Sequence, residues 1–128
     1  MTAVAATLAR RICAVDPAAL PPAVRETCAR LLIDVTGLCI AARKSDYVQS
    51  ALAAWPDSGP ATAIGHPQTL SAAGAAFVNG TAAHGEDFDD TFEGGPVHAG
   101  AVVVPAVLAL AEREKLSGRD ALAGIAAG

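Results

Sequence analysis

Residues 84–98, HGEDFDDTFEGGPVH, gather titratable side chains within an otherwise alanine-rich chain. Four acids fall within five positions, and a histidine stands at each end of the segment: His84, Glu86, Asp87, Asp89, Asp90 and His98. Imidazoles transfer protons near neutral pH, and a neighbouring carboxylate can hold an imidazole ring in a productive orientation. The segment therefore predicts an acid–base site.

The first part of this segment is predicted to end a long alanine-rich helix that spans residues 71–89. On such a helix His84, Asp87 and Thr91 fall at positions i, i+3 and i+7, so they share a face if the last turn is helical. Phe88 would then point toward the core. Acids near a helix C-terminus are unfavourable, which indicates that they have a local partner or a catalytic role.

His98 follows a Gly-Gly-Pro-Val turn and opens the next predicted helix, over residues 98–115. The dipole at a helix N-terminus disfavours a protonated imidazole, and a neutral ring suits a general base. Because the loop returns the chain, His98 is placed to approach His84 and Asp87 in space. Asp87 could then orient one of the two imidazoles.

Structural roles compete with catalytic ones at several of these positions. His84 is equally well explained as a helix histidine with satisfied hydrogen bonds. Asp89 and Asp90 are better explained as a solvated helix end with local capping. His66, in a Gly-His-Pro-Gln segment, is interpreted as a surface loop residue. No recognised spacing of metal ligands is present, so we expect no metal site.

The remaining chain predicts the helices that hold this segment. Apolar residues recur at helical spacing, and Pro or Gly residues separate the periodic stretches. Hydrophobic residues make up 52% of the chain and aromatic residues 4%, so small aliphatic side chains must form the core. The fold class is predicted to be all-α, a helical bundle, with a possible short extended piece at ATAIG. The predicted helices span residues 2–15, 22–42, 46–55, 71–89, 98–115 and 118–128.

Composition excludes several kinds of partner. The net charge is −4 with no lysine or arginine stripe, so nucleic acid is not an expected partner. The longest apolar run, AGAVVVPAVLALA, is too short to span a bilayer. Cys13, Cys28 and Cys39 lack a Cys-x-x-Cys spacing and are interpreted as small buried hydrophobic residues in a reducing cytoplasm.

A longer stretch, AAFVNGTAAHGEDFDDTFEGGPVHAGAVVVPAVLALAE, resembles the MmgE/PrpD family. That family contains 2-methylcitrate dehydratase, cis-aconitate decarboxylase and iminodisuccinate epimerase. The most specific part is NGTAAH, then DFDDT, then a loop, then a histidine that opens a helix. ARLLIDVTGLCIAAR is similar to the family's second helix and SGRDALAGIAAG to a later one, so the resemblance covers essentially the whole chain.

The resemblance implies that Asp87, Thr91 and His98 are catalytic positions and that His84 is a substrate-binding neighbour. It implies acid–base chemistry next to a carboxylate on a small di- or tricarboxylate, most similar to the lyase (hydro-lyase) 2-methylcitrate dehydratase. No metal or organic cofactor is implied. Dehydration, decarboxylation and epimerisation stay open, as do a non-catalytic helical assembly module and one subunit of a split enzyme.

Residues 1–128 resemble the N-terminal portion of the family's helical domain, and we expect the smaller lid domain and the remainder to lie outside this chain. Its partner is then a second copy, in a homodimer, or the remaining half of the enzyme. Two positions depart from the family pattern. Gly85-Glu86 replaces a small-then-apolar pair and adds a negative charge, and Ala99-Gly100 follows His98 where Pro-Ser is commoner.

Overall fold

The computed structural model describes residues 3–128. In these residues six helices form most of the chain, together with two short strands. The bounds are α1 Val4–Cys13, α2 Pro22–Ala42, α3 Asp46–Ala54, β1 Ser58–Thr62, β2 Thr69–Leu70, α4 Ala72–His84, α5 Ala99–Glu114 and α6 Gly118–Ala127. The predicted helical fold is confirmed. The possible extended piece at ATAIG overlaps β1 only at Ala61 and Thr62. Strand β1 pairs antiparallel with β2 and places Ala61 opposite Leu70.

Helix α4 lies at the centre of the fold, where it contacts α2, α3 and α5. Its buried positions are almost all small: Gly74, Ala75, Val78, Asn79, Ala82 and Ala83. Small side chains let neighbouring helix backbones approach closely, which is how a chain with few aromatic residues still fills its core. Val35, Val48, Val78 and Val104 are among the largest side chains that are fully buried.

Helix α5 contains Pro105 in its interior. A proline has no N–H, so the carbonyl of Ala101 loses its usual partner four residues along the helix. That carbonyl faces α4, because a Cβ placed on Gly80 would lie 3.1 Å from the Ala101 oxygen. Helices α4 and α5 therefore approach each other closely at the point where Gly80 has no side chain.

The prediction of a helix over residues 71–89 was wrong at its C-terminal end, because α4 ends at His84. The next residue, Gly85, is the C-cap, and a Cβ there would collide with the aromatic ring of Tyr47. Tyr47 belongs to α3, so a tertiary contact leaves no room for a side chain at this helix end and requires glycine there. Phe88 was predicted to face the core but is 77% exposed, since it lies beyond the helix.

The other helices follow their predicted bounds to within a few residues. The prediction for α1 began at residue 2, which lies outside the described residues. Ser117 and Asp120 form the predicted capping box of α6: the Ser117 hydroxyl accepts from the Asp120 N–H at 3.2 Å, and the Ser117 N–H donates to Asp120 Oδ2 at 3.1 Å. None of the helices in residues 3–128 is long and apolar enough to span a membrane.

Two of the three cysteines are buried, as predicted. Cys28 and Cys39 lie on α2 and are buried in the hydrophobic core. Cys13 was predicted to be buried but is exposed, because α1 buries no residue within the described chain. The apolar side chains of α1, Val4, Leu8 and Ile12, are exposed as well. The helix forms as its periodicity predicts, but its apolar face has no partner among residues 3–128.

Candidate active site

Four side chains from three elements converge at one end of α4 and α5. His84 is the last residue of α4, Asp87 and Asp89 lie in the loop that follows, and His98 is the N-cap residue of α5. One ligand atom from each of these four residues lies within 4.8 Å of the other three. We call these four residues the His–Asp cluster.

Asp89 lies at the centre of the cluster, and its side chain is 0% exposed. Its two oxygens lie 3.1 and 3.2 Å from Nδ1 of His84, and Oδ1 lies 3.4 Å from Nδ1 of His98. An ionised carboxylate can only accept, so each Nδ1 that it binds must carry a proton. The carboxylate therefore favours the same tautomer in both rings and leaves each Nε2 free for other contacts.

The interpretation of Asp89 as a solvated helix end was wrong. Because α4 ends at His84, the chain turns back and carries Asp89 beneath the two imidazoles instead of into solvent. This is the one residue of the cluster that was not among the predicted site residues. The one sign in the sequence is the position of Asp89 as the second acid of DFDDT. It follows Phe88, which is exposed, whereas Asp89 itself is buried.

His98 contacts three other residues of the segment. Its Nε2 lies 3.5 Å from Oδ1 of Asp87, and its Nδ1 lies 3.5 Å from the Thr91 hydroxyl as well as near Asp89. The rings of His84 and His98 have centroids 4.8 Å apart and are tilted by 58°. The structure thus brings together His84, Asp87, Thr91 and His98, although His84, Asp87 and Thr91 do not share a helix face as the sequence suggested.

Asp90 is not part of the cluster and instead caps helix α5. Its Oδ1 accepts a hydrogen bond from the N–H of Gly100, in the first turn of α5, at 2.9 Å. This is the bond that the side chain of an N-cap residue usually supplies, and His98 makes no such bond. The interpretation of Asp90 as part of a solvated helix end was therefore wrong as well, because Asp90 lies beyond α4 and caps α5 instead. Because Asp90 supplies the capping bond, the His98 ring can contact the carboxylates.

Gly100 and Asp87 each show a local backbone requirement. A Cβ at Gly100 would collide with the Asp90 carboxylate, so the glycine after His98 makes room for the cap. Asp87 adopts a left-handed conformation with φ of 57°. Aspartate tolerates this conformation better than most residues do, and here it lets the chain reverse after His84. The Asp87 side chain remains 76% exposed.

The departure from the family pattern at Gly85-Glu86 also has a structural explanation. The Tyr47 hydroxyl donates to Glu86 Oε1 at 3.0 Å, and the Tyr47 ring occupies the space that a side chain at Gly85 would fill. The added carboxylate therefore ties the loop to α3. It is not one of the four residues of the His–Asp cluster.

A groove of about 380 Å³ adjoins the two histidines. Its lining is largely apolar and consists of Phe77, Gly80, Thr81, His84, His98, Ala101 and Val102. A larger groove of about 670 Å³ lies between α2, α5 and α6 and contains no residue of the cluster. His66 lies in the turn between β1 and β2, where its N–H donates to the Ala63 carbonyl, and it takes no part in the cluster.

The cluster has little positive charge near it. Within residues 3–128, no lysine or arginine nitrogen lies within 4.0 Å of the carboxylates of Asp87 or Asp89. The two imidazoles are the cationic partners available there, and only when protonated. The arrangement can therefore accept, hold and return a proton, but it does not by itself supply a clamp for an anionic substrate.

The fold and the site together define a mainly helical domain that carries a cluster of histidines and aspartates where α4 ends and α5 begins. The family model described as the MmgE/PrpD N-terminal domain matches residues 6–128. The chain belongs to the MmgE/PrpD family. Neither the curated proteins nor the solved structures gave a significant match.

Proposed function

We propose that this chain supplies acid–base residues to a lyase that acts next to a carboxylate on a small di- or tricarboxylate, most similar to 2-methylcitrate dehydratase. The observation that carries the proposal is the convergence of His98 with Asp87, Asp89 and Thr91 beside a groove. Three of these, Asp87, Thr91 and His98, are the positions that the family resemblance marks as catalytic. His84, at the edge of the same groove, would bind the substrate.

In this proposal His98 is the general base. Asp89 accepts from Nδ1–H and fixes the ring, so the lone pair of Nε2 is available to take a proton from the carbon next to the substrate carboxylate. The imidazolium that forms then has Asp87 near its Nε2–H, at 3.5 Å, and Asp89 near its Nδ1–H. Two carboxylates around one ring stabilise this charged state.

In the second half of the reaction, the leaving group must receive a proton. In a dehydration the departing hydroxyl leaves as water, so it takes up one proton as the carbon–oxygen bond breaks. The His98 imidazolium can return the proton it accepted, or the Nε2–H of a protonated His84, across the same groove, can supply one. The closeness of the two rings, 4.8 Å between centroids, supports an exchange of roles between them.

The charge of the substrate must be balanced by other groups. Removal of a proton beside a carboxylate creates an enediolate, which needs preorganised positive charge or hydrogen-bond donors. Since no lysine or arginine lies against the cluster within residues 3–128, we propose that a lid domain and later residues of the family fold supply them. Residues 1–128 are then the N-terminal portion of the helical domain. The reaction in this proposal uses no metal or organic cofactor.

Exposed apolar side chains favour a second candidate function, that of an assembly module or one subunit of a split enzyme. Ile33 on α2 is 73% exposed and Val102 on α5 is 71% exposed. Side chains of this kind mark interfaces when they form patches. We also propose a cytoplasmic location, which the three free cysteines support.

The proposal is tested by measuring turnover with the chain in two forms. The chain alone should not convert 2-methylcitrate, citrate or cis-aconitate at a measurable rate, because no lysine or arginine of residues 3–128 lies against the cluster. Joined to, or mixed with, the C-terminal part of an MmgE/PrpD enzyme, it should convert at least one of them. A correctly folded joined protein that is inactive on all three would favour the assembly module.

A further inference from the structure

The His–Asp cluster has the composition of a transition-metal site as well as that of an acid–base site. It offers two imidazole nitrogens and two carboxylate oxygens, one from each residue and all within 4.8 Å of one another. Zn²⁺ binds this set of donors at about 2.0–2.2 Å, which places neighbouring ligand atoms of a tetrahedral site about 3.3 Å apart. Two separations already match, from Asp89 Oδ1 to Nδ1 of His84 at 3.1 Å and to Nδ1 of His98 at 3.4 Å.

The remaining separations can contract without disturbing the core. They involve His84 and Asp87, whose side chains are half-exposed and exposed, and which lie at a helix end and in a loop. Asp89, by contrast, is fixed and buried. A buried central ligand with two outer ligands that have room to move lets a site close around an ion at small cost in strain.

Charge gives an independent reason to expect a cation. A buried carboxylate is costly unless a positive charge compensates it. Asp89 is fully buried, and the groups within reach of it are imidazoles, which are positive only when protonated. A divalent ion would neutralise Asp87 and Asp89 together while both imidazoles stay neutral. Imidazole ligands favour Zn²⁺ and similar first-row ions over Mg²⁺ and Ca²⁺, which prefer oxygen ligands.

We propose that His84, Asp87, Asp89 and His98 bind one first-row transition-metal ion such as Zn²⁺. The ion would replace the Nδ1 protons through which Asp89 holds both rings, and it would engage the carboxylates that support the proposed proton transfer, so metal binding and acid–base chemistry exclude each other at this site. The binding itself does not depend on the proposed function. Only the inhibition rests on it, and a metal titration without substrate keeps the two separate.

The test is a titration of the untagged 128-residue chain after treatment with a chelator. Cys13 is exposed and could bind Zn²⁺ through its thiolate, so every variant carries Cys13→Ser. Calorimetry with Zn²⁺ should give one ion per chain with a dissociation constant of about 10 μM or tighter. Co²⁺ should develop the visible absorption bands of a four- or five-coordinate ion.

Variants decide whether the ion lies in the cluster. Asp89→Asn and His84→Ala should each weaken Zn²⁺ binding at least about tenfold. His66→Ala, which removes the one histidine outside the cluster, and Asp57→Asn, at an exposed loop carboxylate, should not change it. Asp87→Asn, at an exposed position, serves in place of Asp89→Asn if circular dichroism shows that the buried substitution unfolds the chain.

Two results would overturn the proposal. One is the absence of saturable binding at Zn²⁺ concentrations up to about 0.1 mM. The other is binding that is unchanged in folded His84→Ala and Asp87→Asn variants, or that His66→Ala weakens as much as they do.

Discussion

The imidazole rings of His84 and His98 lie with their centroids 4.8 Å apart, although one closes α4 and the other opens α5. The carboxylate of Asp89 fills the space between their Nδ1 atoms. This relationship depends on two local features, the end of α4 at Gly85 and the capping of α5 by Asp90. The proposed chemistry follows from the pair of rings rather than from either histidine alone.

If Asp89 orients both rings, replacing it should change their tautomers. In Asp89→Asn the amide can donate to Nδ1, so the population of the Nδ1–H tautomer should fall in both His84 and His98. Nitrogen-15 chemical shifts of the ring atoms report this directly. His66 serves as the internal control, and Asp57→Asn as the matched variant. Unchanged tautomers of both cluster rings in a folded Asp89→Asn chain would mean that Asp89 does not position them.

The sequence pattern predicted a helix boundary well where the residues at that boundary determine it. Helix α2 begins at Pro22, which is suited to the first turn of a helix, and its predicted range 22–42 matches the structure. Local pattern failed at the end of α4, because the ring of Tyr47 from α3 is what requires Gly85 there. The roles of Asp89 and Asp90 depended on that end, so they could not be assigned correctly from spacing alone.

Two glycines in helices should respond oppositely to alanine. A Cβ added at Gly37 in α2 would meet no atom of the described chain within 4 Å, so Gly37→Ala should stabilise the fold by about 0.5–1 kcal/mol. At Gly74 in α4 a Cβ would collide with the Trp55 ring, so Gly74→Ala should destabilise it by about 1–3 kcal/mol. Urea unfolding measures both. A loss of stability in Gly37→Ala would indicate that this face of α2 is covered in solution.

The three thiols should differ sharply in reactivity. Cys13 should react rapidly with a thiol reagent in the native chain, while Cys28 and Cys39 should react only on unfolding. Burial raises the pKa of Cys39 to about 11, so the folded state favours its neutral thiol. That contribution to stability is complete below the ordinary thiol pKa of 9.0 and is lost as the pH rises through about 11.

The comparison that isolates this effect is with Cys39→Ala, which has no thiol to ionise. Between pH 9 and 11, on the order of two pH units, the unfolding midpoint of the wild-type chain should fall more steeply than that of the variant. Equal slopes, or native labelling of Cys39 as fast as that of Cys13, would show that the site is open to solvent.

The exposed apolar residues of α2 and α5 lead us to expect self-association. Ile33 and Ile40 flank Gly37 along α2, and both are exposed. Sedimentation should show dimers whose fraction rises with concentration, and Ile33→Glu should reduce that fraction. Arg119→Glu, at an exposed residue of α6, is the control for the change in charge. A compact monomer at every accessible concentration would remove the expectation.

The most direct test of the proposed acid–base site is His98→Ala in this chain joined to the C-terminal part of the family fold. Turnover should fall by roughly 10²–10⁴-fold, the loss typical of a general acid–base group. The free energy of unfolding should fall by no more than about 1–2 kcal/mol, because His98 makes no capping bond and His84 remains as a partner for the buried Asp89 carboxylate. His66→Ala should retain turnover. Normal turnover in His98→Ala, or severe unfolding without a specific loss of turnover, would mean that His98 is structural and that the site is wrongly assigned.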